Sequence, residues 1–349
     1  MARAYMTEAE SGTRPGEMGQ ASGPGRFAAL RSWRAVTRWG GEGRWRRGRL
    51  LALTAVVIAL VMALHAHVPN RVGNLGSLLE TFLPWAGLTF PVLLLLVVLR
   101  RSVTALVALL LPVLVWADMF GVLLTDKRGT GGDITFVTHN VSADNPDPAG
   151  TARQLEQSGA EVVALQELPG RSVTAYEAAL RDAYPHHTVQ GTVGLWSKYP
   201  LSDTRPVDIR IGWTRAMRTT VATPRGKAAV YVAHLPSVRV RFEAGFTARQ
   251  RDVAADLLGE AIVRERLDRV VLLGDLNGTM NDRALASVTS QMRSTQGAVG
   301  DGFGFSWPAS FPLARIDQIL VKGVEPVSSW TLPPTASDHL PLAASVRWE

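Results

Sequence analysis

The chain has 349 residues, of which 46% are hydrophobic, 19% are charged and none is cysteine, and its formal net charge is +7. This hydrophobic fraction excludes a wholly disordered protein, and the lack of cysteine excludes disulfide frameworks, thiolate zinc sites and cysteine nucleophiles. A length above the usual size of one domain indicates more than one structural unit.

The positive charge is concentrated at the N-terminus. Residues 1–49 hold ten arginines and four acidic residues, whereas residues 127–349 hold 24 basic and 23 acidic residues. Because a domain that binds nucleic acid usually carries a basic face, the nearly neutral C-terminal part gives little support to such a ligand. We predict that residues 1–49 form a basic, largely disordered tail.

Three apolar stretches follow this tail: Leu50 to Val68, Phe82 to Leu99, and Ser102 to about Ala117. A helix that crosses about 30 Å of hydrocarbon needs roughly 17–25 predominantly apolar residues. Each stretch taken alone is also compatible with a buried core helix. Three in succession behind a basic tail predict three transmembrane helices within residues 50–125.

The arginines also predict an orientation. Basic loops stay in the cytoplasm, and two groups of arginines flank the predicted spans: Arg44, Arg46, Arg47 and Arg49 before the first, and Arg100 with Arg101 between the second and third. The tail is therefore expected to be cytoplasmic, in a multi-pass protein of the cell membrane with its C-terminal domain outside the cytoplasm. Lys127 and Arg128, just after the third span, argue mildly for the opposite orientation.

Residues 126–132 are predicted to be a glycine-rich linker, and residues 133–349 alternate short apolar runs with helical segments. Strands are predicted at residues 134–141, 162–165, 194–197, 228–233, 270–273, 316–321 and 343–346. Helices are predicted at residues 152–158, 173–183 and 246–266. In the last of these, Ala255, Leu258 and Ile262 share one face. This mixture predicts a single α/β domain.

Polar residues stand where the predicted strands end or begin. These residues are Asn140, Glu167, His234, Asp275, Asn277, Asp317, Asp338 and His339. Each one alone has a structural explanation, such as a turn, a cap or a hydrogen-bonded core histidine. Side chains on neighbouring strand ends can converge on one rigid cleft. By contrast, His186, His187 and three acidic residues (Asp144, Asp147 and Asp301) are interpreted as surface residues.

The composition of this set points to a reaction. Carboxylate and amide oxygens without thiolates suit a hard cation such as Mg²⁺ or Mn²⁺. Histidines beside acids suit proton transfer and hydrogen bonding to a phosphoryl oxygen. Together they favour metal-assisted hydrolysis of a phosphate ester. Arg215 and Arg218 could add positive charge for a phosphate, although strand arginines are more often solvated.

In this order, the motifs resemble those of the endonuclease/exonuclease/phosphatase superfamily, which includes DNase I. They are Thr138-His-Asn140, Leu165-Gln-Glu167, Ala233-His-Leu235, Gly274-Asp-Leu-Asn277, Arg315-Ile-Asp317 and Ser337-Asp-His339. The resemblance covers residues 133–349. It implies an α/β four-layer sandwich of two packed β-sheets flanked by helices, here preceded by the three transmembrane helices.

The resemblance also implies a role for each residue. Glu167 would bind the divalent metal, Mg²⁺ or Mn²⁺, with Asn140 and Asp338 shaping its site. Asp275 would orient or deprotonate the attacking water, and Asn277 would hold the phosphoryl group. His339 would contact the phosphate and be oriented by Asp317. The remaining histidine, His234, would stabilise the transition state or assist the leaving group.

Two classes of function remain open at this point. The first is a membrane-anchored, metal-dependent phosphoesterase acting on nucleic acid, phospholipid or a small phosphoester. The second is a catalytically silent module that binds phosphate or lipid on the same scaffold. The expected partners are a phosphate-ester substrate and the lipid bilayer, and no obligate protein partner is indicated.

Overall fold

The computed structural model describes residues 43, 45–70, 75–237 and 245–348, so the predicted disordered tail lies almost wholly outside the described residues. The helices are α1 (Arg49–Ala63), α2 (Leu75–Phe82), α3 (Thr89–Arg100), α4 (Val103–Phe120), α5 (Pro148–Glu156), α6 (Gly170–Leu180), α7 (Gly245–Val263), α8 (Ala286–Thr289) and α9 (Thr295–Val299). Short 3₁₀ segments lie at His65–His67, Leu83–Leu88, Gly121–Leu124 and Arg283–Leu285.

The strands form two six-stranded sheets. They are β1 (Ile134–Asn140), β2 (Val162–Gln166), β3 (His186–Gln190), β4 (Val193–Ser197), β5 (Leu201–Pro206), β6 (Ala216–Thr223), β7 (Gly226–His234), β8 (Val270–Asp275), β9 (Arg293–Ser294), β10 (Asp317–Lys322), β11 (Glu325–Thr331) and β12 (Leu342–Arg347). The first sheet has the order β11-β12-β1-β2-β4-β3, and the second has the order β5-β6-β7-β8-β10-β9.

Buried apolar side chains form three clusters, one between the two sheets and one on the outer face of each sheet. Between the sheets, fully buried residues such as Phe136 and Val230 interdigitate. On the outer face of the first sheet lie α5 and α6, and on that of the second lies α7, whose Leu258 and Ile262 are fully buried. The predicted sandwich of two packed sheets flanked by helices is therefore confirmed, as is the inward face predicted for α7.

The prediction of three transmembrane helices is wrong in its number. Among the described residues, two helical segments are long and apolar enough to cross a membrane: Leu75–Arg100 with 26 residues and Val103–Leu124 with 22. Helix α1 has only 15 residues. At about 1.5 Å per residue it covers roughly 22 Å, less than the hydrocarbon thickness, because the chain turns into a 3₁₀ segment after Ala63.

The three apolar helices pack as a bundle with defined ends. Helices α1 and α4 run in the same direction, since Gly48 abuts Ser102 at one end and Met62 joins the cluster of Phe120 at the other. The turn at Arg100 and Arg101 therefore lies at the end of the bundle far from the sandwich. At the near end, Trp85 Nε1 donates to the carbonyl oxygen of Leu313 at 2.7 Å.

Several strands escaped prediction, among them β3, an edge strand that carries His186 and His187. His187 is exposed, as expected of a surface residue. Its ring stacks on Trp196 with centroids 6.0 Å apart, and its Nε2 lies 3.3 Å from Glu177 Oε1. With only one apolar residue among five, β3 lacks the alternating pattern by which a strand is predicted.

Candidate active site

Strand pairing brings the polar strand ends to one edge of the sandwich. In the first sheet, β1 and β2 are parallel, and Asn140 pairs with Gln166, the residue before Glu167. In the second sheet, parallel pairing sets His234 of β7 beside Asp275 of β8. Antiparallel pairing then sets the first residue of β10, Asp317, beside the same aspartate.

Asn140 joins the two sheets. Its Nδ2 donates to Glu167 Oε1 at 3.2 Å and to Asp275 Oδ2 at 3.0 Å, while its Oδ1 accepts from the backbone of Ser142. Glu167 has a left-handed backbone with φ +57°, and so does Asn277 with φ +48°. Such sparsely populated conformations concentrate at functional sites, where surrounding contacts hold them in place.

Asp275 is the most connected member of the group. Its side chain accepts hydrogen bonds from Asn140 and from both the backbone and the Nδ2 of Asn277. The carboxylate is 1% exposed. Burial, reinforced by the negative charge of Asp317, raises the pKa of Asp275 to about 7. A carboxylate with that pKa can accept a proton near neutral pH.

The two histidines differ in charge although both are buried. Burial, together with the positive charges of Arg215 and His339, lowers the pKa of His234 well below its ordinary value. Its Nε2 lies 3.5 Å from Glu167 Oε1 and 3.6 Å from Asp275 Oδ2. At neutral pH this imidazole is therefore neutral, and it can donate a hydrogen bond but is a poor acid.

His339 is held in its protonated form. Its Nδ1 donates to Asp317 Oδ2 at 2.8 Å, and the same oxygen accepts from Ser306 Oγ at 2.6 Å. Burial disfavours the imidazolium, but the charge and hydrogen bond of Asp317, with the charge of Asp275, raise the pKa of His339 to about 10. Its Nε2 lies 4.0 Å from Asp275 Oδ2 and faces the cleft.

Seven of the eight residues proposed from the sequence thus form one contact network, and Asp338 stands at its margin. The Asp338 carboxylate is exposed and accepts a hydrogen bond from Trp307 Nε1 at 3.3 Å. Asn277 also anchors the network to β7, since its Nδ2 donates to the carbonyl oxygen of Leu235 at 2.9 Å.

The donor set fits a hard divalent cation. Glu167 Oε1 and Asp275 Oδ2 accept from the same amide nitrogen of Asn140, so the two carboxylate oxygens lie close together. Donor atoms of Asp275, Asp317 and His339 also lie within 4.8 Å of one another. In that second group His339 is an imidazolium, which has no free lone pair for a metal. Glu167, whose carboxylate lines the same cleft, is the better ligand for a hard cation.

These groups line a cavity of about 610 Å³. Its polar side carries the side chains of Glu167, His234, Asp275 and His339, and Arg215 adds a positive charge beside them. Helix α2 contributes Leu78, Thr81 and Phe82 to the lining, and further apolar lining comes from the sandwich, including Trp213, Trp307 and Ile316. A single cavity therefore combines catalytic polar groups with residues of the apolar N-terminal region.

Two features of this site escaped the sequence, and a third was left open there. Arg215, which the sequence offered as a charge for a phosphate, lines the cavity, whereas Arg218 forms a buried ion pair with Glu265 at 2.9 Å. Ser306, which orients Asp317, lies in a segment with no strand or helix pattern. Helix α2 lies mostly before the predicted second span and carries no motif.

Comparisons with known proteins agree with this geometry. The sequence model described as the Endonuclease/Exonuclease/phosphatase family matches residues 137–339, which is more than half of the chain. No curated protein matches the sequence.

Among solved structures, the chain is similar to three proteins of this general architecture. An endonuclease/exonuclease/phosphatase from Bacteroides vulgatus has a TM-score of 0.52 and 16% identity, covering 63% of this chain and 100% of that chain. A humanized D. rerio TDP2 with 14 mutations has a TM-score of 0.51 and 18% identity, covering 61% and 98%. The mannosyl-6-phosphatase Bt3783 from Bacteroides thetaiotaomicron VPI-5482 has a TM-score of 0.50 and 14% identity, covering 61% and 99%. At these identities the likeness concerns the fold.

Proposed function

Because this chain belongs to the endonuclease/exonuclease/phosphatase family, we propose that it is a membrane-anchored, metal-dependent phosphoesterase whose catalytic domain lies outside the cytoplasm. Members of the family are phosphoester hydrolases. The observation that carries the proposal is the convergence of Glu167, His234, Asp275, Asn277 and His339 on one cavity, with Asn140 hydrogen-bonded to two of them.

Each residue of the site has a separate role in hydrolysis. Asp275, with a pKa of about 7, accepts the proton of the attacking water. The imidazolium of His339 and the guanidinium of Arg215 stabilise the negative charge on the phosphoryl oxygens. Neutral His234 donates a hydrogen bond to the reacting phosphate, and Asp317 keeps His339 charged and oriented.

Glu167 would hold the Mg²⁺ or Mn²⁺ ion, next to the general base Asp275. When bound, such an ion neutralises phosphate charge and polarises the ester. Asn140 presents its amide nitrogen to both carboxylates, so its role is to hold them together. Asp338, at the rim, would shape the approach to the cation.

The distribution of apolar surface supports membrane anchoring by the two long helices. Most exposed large apolar side chains in the described part of the chain belong to residues 45–124; outside that range they are Trp213, Val253, Val263 and Phe311. Arg100 and Arg101, in the turn between the two long segments, support an extracytoplasmic catalytic domain, because a basic turn stays in the cytoplasm.

Catalysis is tested with the full chain in detergent micelles. With Mg²⁺ or Mn²⁺, it should hydrolyse bis(p-nitrophenyl) phosphate or p-nitrophenyl phosphate, and EDTA should abolish turnover until the cation is restored. A folded chain that hydrolyses no phosphoester with either cation would leave the silent binding module as the surviving hypothesis.

Orientation is tested by cysteine labelling, since the chain has no native cysteine. A cysteine introduced at the exposed Asp144 should react in intact cells with a membrane-impermeant maleimide. One at Arg101 should react only after the cells are lysed. The reverse pattern would contradict the proposed orientation.

A further inference from the structure

Helix α2 lies between the catalytic groups and the apolar helices of the bundle. Its Leu78, Thr81 and Phe82 are half-buried and line the cavity that holds His234, Asp275 and His339. The helix is also the start of Leu75–Arg100, the 26-residue segment that is long and apolar enough to cross a membrane. The catalytic cavity is therefore walled in part by the first turns of a membrane span.

A second cavity continues this apolar surface. It has a volume of about 370 Å³ and lies where the apolar helices meet the sandwich. Thr81 lines both cavities, and the second is lined largely by apolar residues, among them Pro84, Phe120, Leu123 and Phe305. Apolar surface thus extends from the reacting groups toward the helices that enter the bilayer.

Helix α2 is hydrogen-bonded to the loop that follows β8, residues 276–282, which we call the catalytic loop. Arg251, which is fully buried, donates to Ser77 Oγ of α2 at 2.8 Å and to the carbonyl oxygen of Asn277 at 3.0 Å. Thr279 Oγ1 donates to the carbonyl oxygen of Glu80 at 3.2 Å. These hydrogen bonds hold helix α2 in a fixed position relative to Asp275 and Asn277, so the helix is part of the substrate site.

From this arrangement we infer that the substrate is a phosphoester of a membrane lipid, an inference that rests on the proposed phosphoesterase function. The phosphate lies against the polar side of the cavity, and the apolar chain lies along Leu78 and Phe82 toward the bilayer. The oxygen of water bonds to phosphorus while the ester P–O bond breaks, and Asp275 takes the proton of the water. The leaving oxygen is protonated by solvent, so hydrolysis needs no further reactant.

The test compares lipid and water-soluble substrates on the full chain in mixed micelles with Mg²⁺. The lipid probes are dioleoyl phosphatidic acid, phosphatidylglycerol and phosphatidylcholine. The soluble probes are bis(p-nitrophenyl) phosphate, p-nitrophenyl phosphate and a DNA oligonucleotide. At least one lipid should have the highest kcat/KM. Leu78→Ala should lower the ratio of lipid to soluble kcat/KM about tenfold, the loss typical of a truncated apolar contact.

Leu75→Ala is the matched control, because Leu75 lies on the same helix, is 50% exposed and is outside the cavity lining. It should leave the ratio within twofold of the parent chain, and thermal unfolding should show both variants folded. If a soluble ester or DNA is the best substrate, or if the two variants behave alike, the lipid inference is overturned while the phosphoesterase function stands. If neither lipids nor soluble esters are hydrolysed, the proposed function itself fails.

Discussion

Replacing Asp275 with Asn tests the proposed general base without changing the size of the side chain. The Oδ1 of the new asparagine can still accept from the backbone N–H of Asn277. In the parent chain that nitrogen lies 2.9 Å from Oδ1 of Asp275. The new amide nitrogen would face the Nδ2 donors of Asn140 and Asn277, which lie 3.0 and 3.2 Å from the oxygen it replaces. Two hydrogen bonds are lost, at ~0.5–1.5 kcal/mol each.

Removal of the Asp275 charge offsets part of this loss of folding free energy. Asp275 is buried beside Asp317, which is why its pKa is raised to about 7, and the neutral amide removes that repulsion. The melting temperature should therefore shift by only a few degrees. Catalysis has no such compensation, because an amide cannot accept the proton of water. Loss of a positioned base lowers kcat about 10²–10⁴-fold, equivalent to ~3–5 kcal/mol of barrier.

The assay is Mg²⁺-dependent hydrolysis of bis(p-nitrophenyl) phosphate by the full chain, with thermal unfolding measured on the same samples. Asp144→Asn is the matched control, since the Asp144 carboxylate is 95% exposed and its ion pair is with Arg171, which is itself exposed. It should retain kcat/KM within twofold. An Asp275→Asn protein that stays folded and keeps more than a tenth of the parent activity would refute the assignment of Asp275 as the base.

Three further outcomes are expected. Glu167→Gln should raise the Mg²⁺ concentration for half-maximal activity at least about tenfold, because a cation ligand loses its charge; an unchanged Mg²⁺ titration would contradict this. Burial acts to raise the pKa of Glu265, but hydrogen bonds led by Arg218 lower it to about 2. The resulting ~3 kcal/mol of stability is present above pH 4.5 and is lost as the pH falls toward 2. Glu265→Gln should therefore lower the melting temperature at pH 7 and not at pH 2, and a difference independent of pH would argue against the pair. Gly76→Ala should lower both melting temperature and activity, because a Cβ there would overlap a neighbouring backbone carbonyl, whereas Gly170→Ala, with open space around it, should change neither.

The sequence was sufficient to predict where the polar residues of the cleft would meet. Asn140, Glu167 and Asp275 each follow an apolar run, and the end of such a run marks the end of a strand. Parallel pairing then brings those ends to one edge, which follows from general rules of α/β folds. The long helix α7 was predictable for a similar reason, since its buried face repeats with the helical period.

Other parts of the site had no local pattern to reveal them. Ser306 acts through Asp317 from an irregular segment, so its contact depends only on the tertiary fold. From the sequence, residues 75–82 look like a loop that leads into an apolar span. An apolar residue such as Leu78 or Phe82 is equally common in a cavity wall and in a membrane segment. The number of spans was overestimated because apolar composition does not reveal that α1 ends at Ala63.

The hydrogen bonds between α2 and the catalytic loop limit how this protein can be shortened. A chain begun after the last apolar helix would keep every polar group of the cleft, yet it would leave Arg251 without the Ser77 acceptor and the cavity open on one side. Activity measured on such a fragment would be that of a cleft without the α2 side chains, and we expect it to accept a wider range of substrates. A water-soluble form suited to crystallisation or inhibitor screening should instead carry residues 75–82 grafted back against the loop.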